Sequence, residues 1–181
     1  MKMLKKNALY YLKKLKQGMQ IMKKITTSAS ILIYNDITAL SAEDNSLMLK
    51  AIAIRKKAYA PYSKFRVGAA ILLSNGVVIE GSNQENAAYP SGLCAERVAI
   101  FYAGASHPNE KILKIAISAT SDNFVSTTPI PPCGACRQSI SEYEQKQNTP
   151  IELYFMGEQG EVYKSDSIAD LLPFSFTKDF L

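Results

Sequence analysis

Residues 77–105 read V-V-I-E-G-S-N-Q-E-N-A-A-Y-P-S-G-L-C-A-E-R-V-A-I-F-Y-A-G-A, and the fold turns on how this segment is divided. Val77 to Gly81 is a short apolar strand, the polar N-Q-E-N run breaks it, and Cys94 opens a helix. From Ala95 to Ala105 the apolar residues Ala95, Val98, Ala99 and Tyr102 recur at helical spacing, with Gly104 available as a terminator. Upstream, Asn75-Gly76 is a two-residue hairpin turn that pairs this strand with Phe65 to Leu73. Downstream, Ile112 to Ala119 alternates as a strand, and a loop with prolines at 129, 131 and 132 leads to a helix at about 134–146. Strand Ile151 to Met156 follows, and Gly157 to Gly160 turns it into a last strand around Glu161 to Lys164.

Before the hairpin, Ser41 ahead of Glu43 and Asp44 marks a helix start. Leu47, Ala51, Ile54 and Ala58 form its buried face, and Arg55-Lys56-Lys57 its basic last turn. The order helix, hairpin, helix, strand, helix, strand is that of an α/β fold, a three-layer α/β/α sandwich around a mixed sheet of roughly five strands. The two strand–helix–strand passages require right-handed crossovers and some parallel pairing.

The chain has 181 residues, 47% of them hydrophobic and 20% charged, values of a globular protein rather than a disordered or fibrous one. Its longest apolar run, Val67 to Leu73, is far too short to span a membrane. The net charge of +5 is local: eight of the 21 basic groups lie in residues 1–24, leaving 13 against 16 acidic groups in 25–181. That mildly acidic remainder lacks the basic face that a phosphate backbone needs. Residues 1–24 read as a Lys-rich extension, disordered or, with Met22 as an alternative start, outside the natural protein. Residues 25–40 read as an extended arm or strand and 41–181 as the functional domain. The head has neither the apolar core of a secretory signal nor the arginines of a transit peptide, and three cysteines make a poor disulfide framework, so a cytoplasmic protein is expected.

Those cysteines carry the chemistry. Cys133 and Cys136 form P-C-G-A-C at the start of one helix and Cys94 opens another, so helix N-termini favour the thiolate at each. Three thiolates can converge on one zinc, and three protein ligands leave the fourth position that marks a catalytic rather than a structural site. A structural Cys3His site would need the one histidine, His107, whose Ser-His-Pro-Asn context has no metal-ligand spacing. Glu96 lies two residues beyond Cys94, close enough to carry protons without ligating the metal. Read alone, it is a charge stabilising a helix N-terminus. A bare C-x-x-C is equally open to redox chemistry or a structural zinc; the joint pattern is the specific one.

C-A-E at 94–96 with P-C-G-A-C at 132–136 resembles the zinc-dependent nucleoside deaminases, whose pattern of a glutamate beside cysteine ligands is well defined. The three-cysteine form resembles the homotetrameric cytidine deaminases. The likeness extends through A-Y-A-P-Y-S-K-F-R-V-G-A-A (58–70), N-Q-E-N-A-A-Y-P-S-G-L-C-A-E-R (83–97) and L-L-P-F-S-F (171–176). It implies hydrolytic deamination of cytidine and deoxycytidine to uridine and deoxyuridine in pyrimidine salvage, by a water activated on one Zn2+ per chain held by Cys94, Cys133 and Cys136. Glu96 takes the role of proton shuttle at the water, ring nitrogen 3 and the leaving amine.

The same resemblance makes Arg97 the residue that hydrogen-bonds the thiolates, with Arg137 a weaker candidate. Asn83 and Glu85 become contacts to the sugar 3′-hydroxyl, Phe65 the wall of the base pocket, and the Ala95 backbone a contact to the base edge. By pattern alone N-Q-E-N is a polar turn and Phe65 a strand core residue. Tyr62, Tyr89 and Phe176 match aromatic positions near the site and across subunit boundaries, so a homotetramer with sites completed by neighbouring subunits is implied. A small pyrimidine nucleoside is the expected partner, with neither membrane nor nucleic acid. A related aminonucleoside, or a base within a nucleic acid, is the alternative substrate.

Overall fold

The computed structural model describes residues 23–181. The reading of residues 1–24 as an extension therefore lies, but for Lys23 and Lys24, outside the described residues. Six strands and three α-helices are present among them: β1 Leu32–Tyr34, α1 Ala42–Arg55, β2 Phe65–Leu73, β3 Val78–Ser82, α2 Ala95–Ser106, β4 Ile112–Ser121, α3 Gly134–Gln147, β5 Glu152–Met156 and β6 Val162–Ser165. They form one sheet in the order β1-β6-β5-β4-β2-β3. The sheet has six strands rather than roughly five, because Leu32, Ile33 and Tyr34 pair antiparallel with Lys164, Tyr163 and Val162. The sequence leaves 25–40 open between an extended arm and a strand, and the pairing makes Leu32–Tyr34 of that stretch a strand.

β2 is antiparallel to both β3 and β4, so β3 and β4 run parallel with β2 between them. β4 and β5 are direct parallel neighbours. The passages β3–α2–β4 and β4–α3–β5 are therefore both crossovers, and α2 and α3 begin at the same end of the sheet. This end, beyond the carboxyl ends of the parallel strands, is where such sheets place ligands.

Strand alternation separates the two faces. Ile71, Ile115, Ile117, Leu153 and Phe155 pack with Ala99, Ile100 and Ala103 of α2 and Ile140 of α3. Ala70, Ala116, Tyr154 and Met156 pack with Leu47, Met48 and Ala51 of α1. This is the three-layer α/β/α sandwich expected from the sequence.

Ser41 caps α1, its Oγ accepting from Asp44 N at 3.2 Å. Lys114 Nζ then donates to Asp44 Oδ1 at 2.6 Å and Glu43 Oε1 at 2.7 Å, tying that turn to β4. At the other end the basic turn is not simply solvated: Arg55 is buried and its Nη1 donates to Ser118 Oγ at 2.7 Å, which donates in turn to the Gly157 carbonyl at 2.9 Å. Gly68 permits α1 to lie this close to β2, since a Cβ there would sit 2.1 Å from the Ala51 carbonyl oxygen. On α2 the buried face is Ala95, Glu96, Ala99, Ile100 and Ala103. Tyr102 is exposed, and the helix runs past Gly104, where Tyr143 of α3 packs against the missing side chain. No helix among the described residues is long and apolar enough to cross a membrane.

Candidate metal and active site

Two helix starts face each other at the ligand end of the sheet. Cys94 and Cys133 are the N-cap residues of α2 and α3, both extended in backbone, and Cys136 lies in the first turn of α3. The three sulfurs lie within 4.8 Å of one another. Cys94 Sγ is 3.8 Å from Cys133 Sγ, and Cys133 Sγ is 3.5 Å from Cys136 Sγ. A tetrahedral zinc with Zn–S bonds of about 2.3 Å has sulfur–sulfur edges of about 3.8 Å, so the spacing fits.

The charge distribution fits as well. The Cys94 thiol is pushed down to about 5, first by its hydrogen bond with Cys136 and then by Arg97 and Cys133, against the opposing effect of burial. The same contact with Cys94, together with burial, pushes Cys136 up. A Cys94 thiolate with two further sulfurs against it in a half-buried corner is the condition a soft dication relieves. Arg97 Nη2 donates to Cys94 Sγ at 3.8 Å, and its Nε is buried without a hydrogen-bond partner among the described residues. The Arg137 guanidinium is committed elsewhere, donating to the Pro132 carbonyl at 2.7 Å and the Leu171 carbonyl at 2.9 Å.

Glu96 follows one residue inside α2 and is 5% exposed. Burial pushes its carboxyl up to about 7, helped by the negative charge of Cys94 and offset by its own backbone N–H, Cys136 and Arg97. A carboxyl that titrates near neutrality can take and return protons at working pH. Its position among the thiols follows from the spacing, because Cys94 and Glu96 share the first turn of one helix.

A cavity of about 720 Å³ opens above this corner, lined by Cys94, Cys133, Glu96 and Arg97 on one side. Phe65, Asn83, Glu85 and Tyr89 line the other. Neither Ala95, which is fully buried, nor Phe176 lines it; Phe176 is exposed and stacked on Phe180 at 5.7 Å. Asn83 and Glu85 do more than face the cavity. Asn83 Oδ1 accepts from Val67 N at 2.8 Å and its Nδ2 donates to the Phe65 carbonyl at 2.9 Å. Glu85 Oε2 accepts from Tyr62 N at 2.9 Å and Ser63 N at 3.3 Å, while Oε1 accepts from Ser63 Oγ. These bonds, the one from Ser63 Oγ first, hold the Glu85 carboxyl below its ordinary value.

Ser63, Ile117, Ile130 and Pro131 also line the cavity, and sequence reading did not single them out for it. Ser63 had a local signal: a serine two residues before a strand start is placed to accept from that strand's first N–H, as in an ST-turn. Ile117 had none, being one of several identical residues in β4.

A sequence profile of the cytidine and deoxycytidylate deaminase zinc-binding region matches residues 41–149. A cytidine deaminase from Halalkalibacterium halodurans is 39% identical over 137 residues, 75% of this chain and 96% of the relative. One from Sporosarcina psychrophila is 38% identical over 135 residues, 75% of this chain and 92% of the relative. The crystal structure of a cytidine deaminase from Burkholderia pseudomallei superposes with a TM-score of 0.64 at 39% identity, covering 76% of this chain and all of that one.

Proposed function

Because the chain belongs to the zinc-dependent cytidine and deoxycytidylate deaminase family, we propose that it hydrolyses cytidine and deoxycytidine to uridine and deoxyuridine with release of ammonia. The observation that carries this reading is the meeting of three cysteine sulfurs and one buried carboxyl at the floor of a cavity large enough for a nucleoside. One zinc per chain would be held by Cys94, Cys133 and Cys136. When bound, it supplies Lewis-acid chemistry that brings the pKa of water to about 7.

The remaining steps fall to the chain's own residues. Glu96, ionised at the start, takes the proton of the attacking water and delivers it to ring nitrogen 3; it then takes the proton of the hydroxyl newly joined to carbon 4 and delivers it to the departing amino group, so that ammonia leaves as the carbonyl forms. Its raised pKa suits both directions of transfer, since it lies near the operating pH. Arg97 offsets the negative charge of the thiolates through its contact with Cys94. Phe65 and Tyr89 wall the base and sugar, the Ala95 backbone meets the base edge, and Asn83 and Glu85 contact the 3′-hydroxyl. A carboxylate accepts at about four positions and Glu85 uses three on the turn at 62–63, which leaves one for that hydroxyl.

The functional domain is residues 41–181, working in the cytoplasm in pyrimidine salvage as a homotetramer. The exposure of Phe176, outside this chain's own cavity, supports a site completed by a neighbour. An anionic Glu85 at the sugar end disfavours a nearby phosphate, so nucleosides are preferred over nucleotides. Ammonia release measured on cytidine, deoxycytidine, deoxycytidylate and a cytosine oligonucleotide, with zinc content in parallel, tests this. Turnover restricted to the oligonucleotide overturns it.

A further inference from the structure

The turn that leads into β2 is held by one hydroxyl with two partners. Ser63 Oγ donates to Glu85 Oε1 and accepts from Phe65 N at 3.0 Å. Lys64, between them, is in the left-handed region at φ 58°, and its carbonyl accepts from Asp122 N at 2.7 Å. A non-glycine residue keeps such a conformation only where the surroundings impose it. Here they are Glu85 on one side, with its three bonds to Tyr62 and Ser63, and the end of β4 on the other. The turn therefore stands between the carboxylate at one end of the cavity and the aromatic ring of Phe65 at its wall.

We propose that Ser63 is a positioning residue for substrate discrimination: its single oxygen fixes the Glu85 carboxylate and the Phe65 backbone together, so that the sugar contact and the base wall are set by one side chain. The proposal rests on the reading of Glu85 as the sugar contact. Asn83 holds the Phe65 carbonyl and Val67 N independently, so β2 keeps its start when the Ser63 hydroxyl is removed. What is lost is the aim of Glu85: with Oε1 released, the carboxylate keeps only its two backbone donors and turns toward solvent, since Ser63 is itself exposed.

The test crosses Ser63→Ala with removal of the substrate's 3′-hydroxyl, in the zinc-loaded enzyme. Wild type is expected to prefer cytidine over 3′-deoxycytidine in kcat/KM. Ser63→Ala is expected to lose about tenfold in kcat/KM on cytidine, mostly in KM, the scale of one hydrogen bond to a charged group. On 3′-deoxycytidine it should lose less than about threefold, because the bond that Glu85 makes is already absent. Ser63→Thr, which keeps the hydroxyl, should restore the discrimination to within about twofold. Equal losses on both substrates mean a merely structural effect and overturn the proposal, as does a Thr variant no better than Ala. If Ser63→Ala does not fold, Ser63→Gly is held to the same criterion. A wild type that treats the two substrates alike defeats the sugar-contact reading itself and the proposal with it. A clear wild-type preference that Ser63→Ala preserves defeats the coupling alone.

Discussion

Glu96 is the residue whose chemistry depends most on its surroundings. Its burial pushes the carboxyl up to about 7, the direction that suits a group that must both take and return a proton. Glu96→Gln keeps the volume and the metal ligands and removes the transferable proton. It is expected to retain full zinc by metal analysis while kcat falls at least a hundredfold, within the usual range for a general acid–base group. A variant keeping more than about a tenth of wild-type kcat would assign the proton transfers elsewhere. Cys94→Ser should instead lose zinc and lower the melting temperature, because the ligand set ties together two helix starts. The Cys94–Glu96 relation was legible in the sequence because it lies within one helical turn. The bonds of Glu85 were not: its donors come from residues 62 and 63, more than twenty positions earlier, and no local pattern encodes that closure.

At the scale of elements, the sequence told helices and strands apart by period and by caps, and the three helices begin where Ser41, Cys94 and Cys133 place them. The inward faces through Leu47 and Ala51 and through Ala95 and Ala99 are as read, but the limits of each face were not legible. Met48 and Ile100 are fully buried, while Tyr102 is 60% exposed. Two glycines also differ in kind. Gly68→Ala would place a Cβ 2.1 Å from the Ala51 carbonyl and 2.6 Å from Arg55 N, so α1 must shift from the sheet. A loss of about 3 kcal/mol is expected, at the upper end for overpacking, read from denaturant unfolding. Gly134→Ala meets nothing within 4 Å, although it lies between two of the metal-site cysteines. It is expected to keep zinc and activity within about twofold and to gain a few tenths of a kcal/mol from helix propensity. Zinc loss in that variant would show that the Cys133–Cys136 spacing needs glycine after all.

At the scale of the whole molecule, the tail, Phe174 to Leu181, packs Phe176 against Phe180, and Phe176 does not line the cavity. Gln138 of α3 anchors this tail, its Nε2 donating to the Phe176 carbonyl at 2.8 Å and its Oε1 accepting from Phe176 N at 3.1 Å. The tail is thus fixed by its backbone while its aromatic ring stays exposed. The proposed homotetramer with shared sites requires each site to combine Glu96 from one chain with Phe176 from a neighbour. Phe176→Ala alone and Glu96→Gln alone are both expected to be weak or inactive. Co-assembled in equal amounts they should regain about a quarter of wild-type turnover, because random assembly gives half the sites an intact Glu96 and half of those an intact neighbouring Phe176. Light scattering of the mixture must show the same assembly as wild type. Failure to recover activity in hybrids of wild-type size would mean that Phe176 serves its own chain or none, leaving the shared site without support while the chemistry at Glu96 stands.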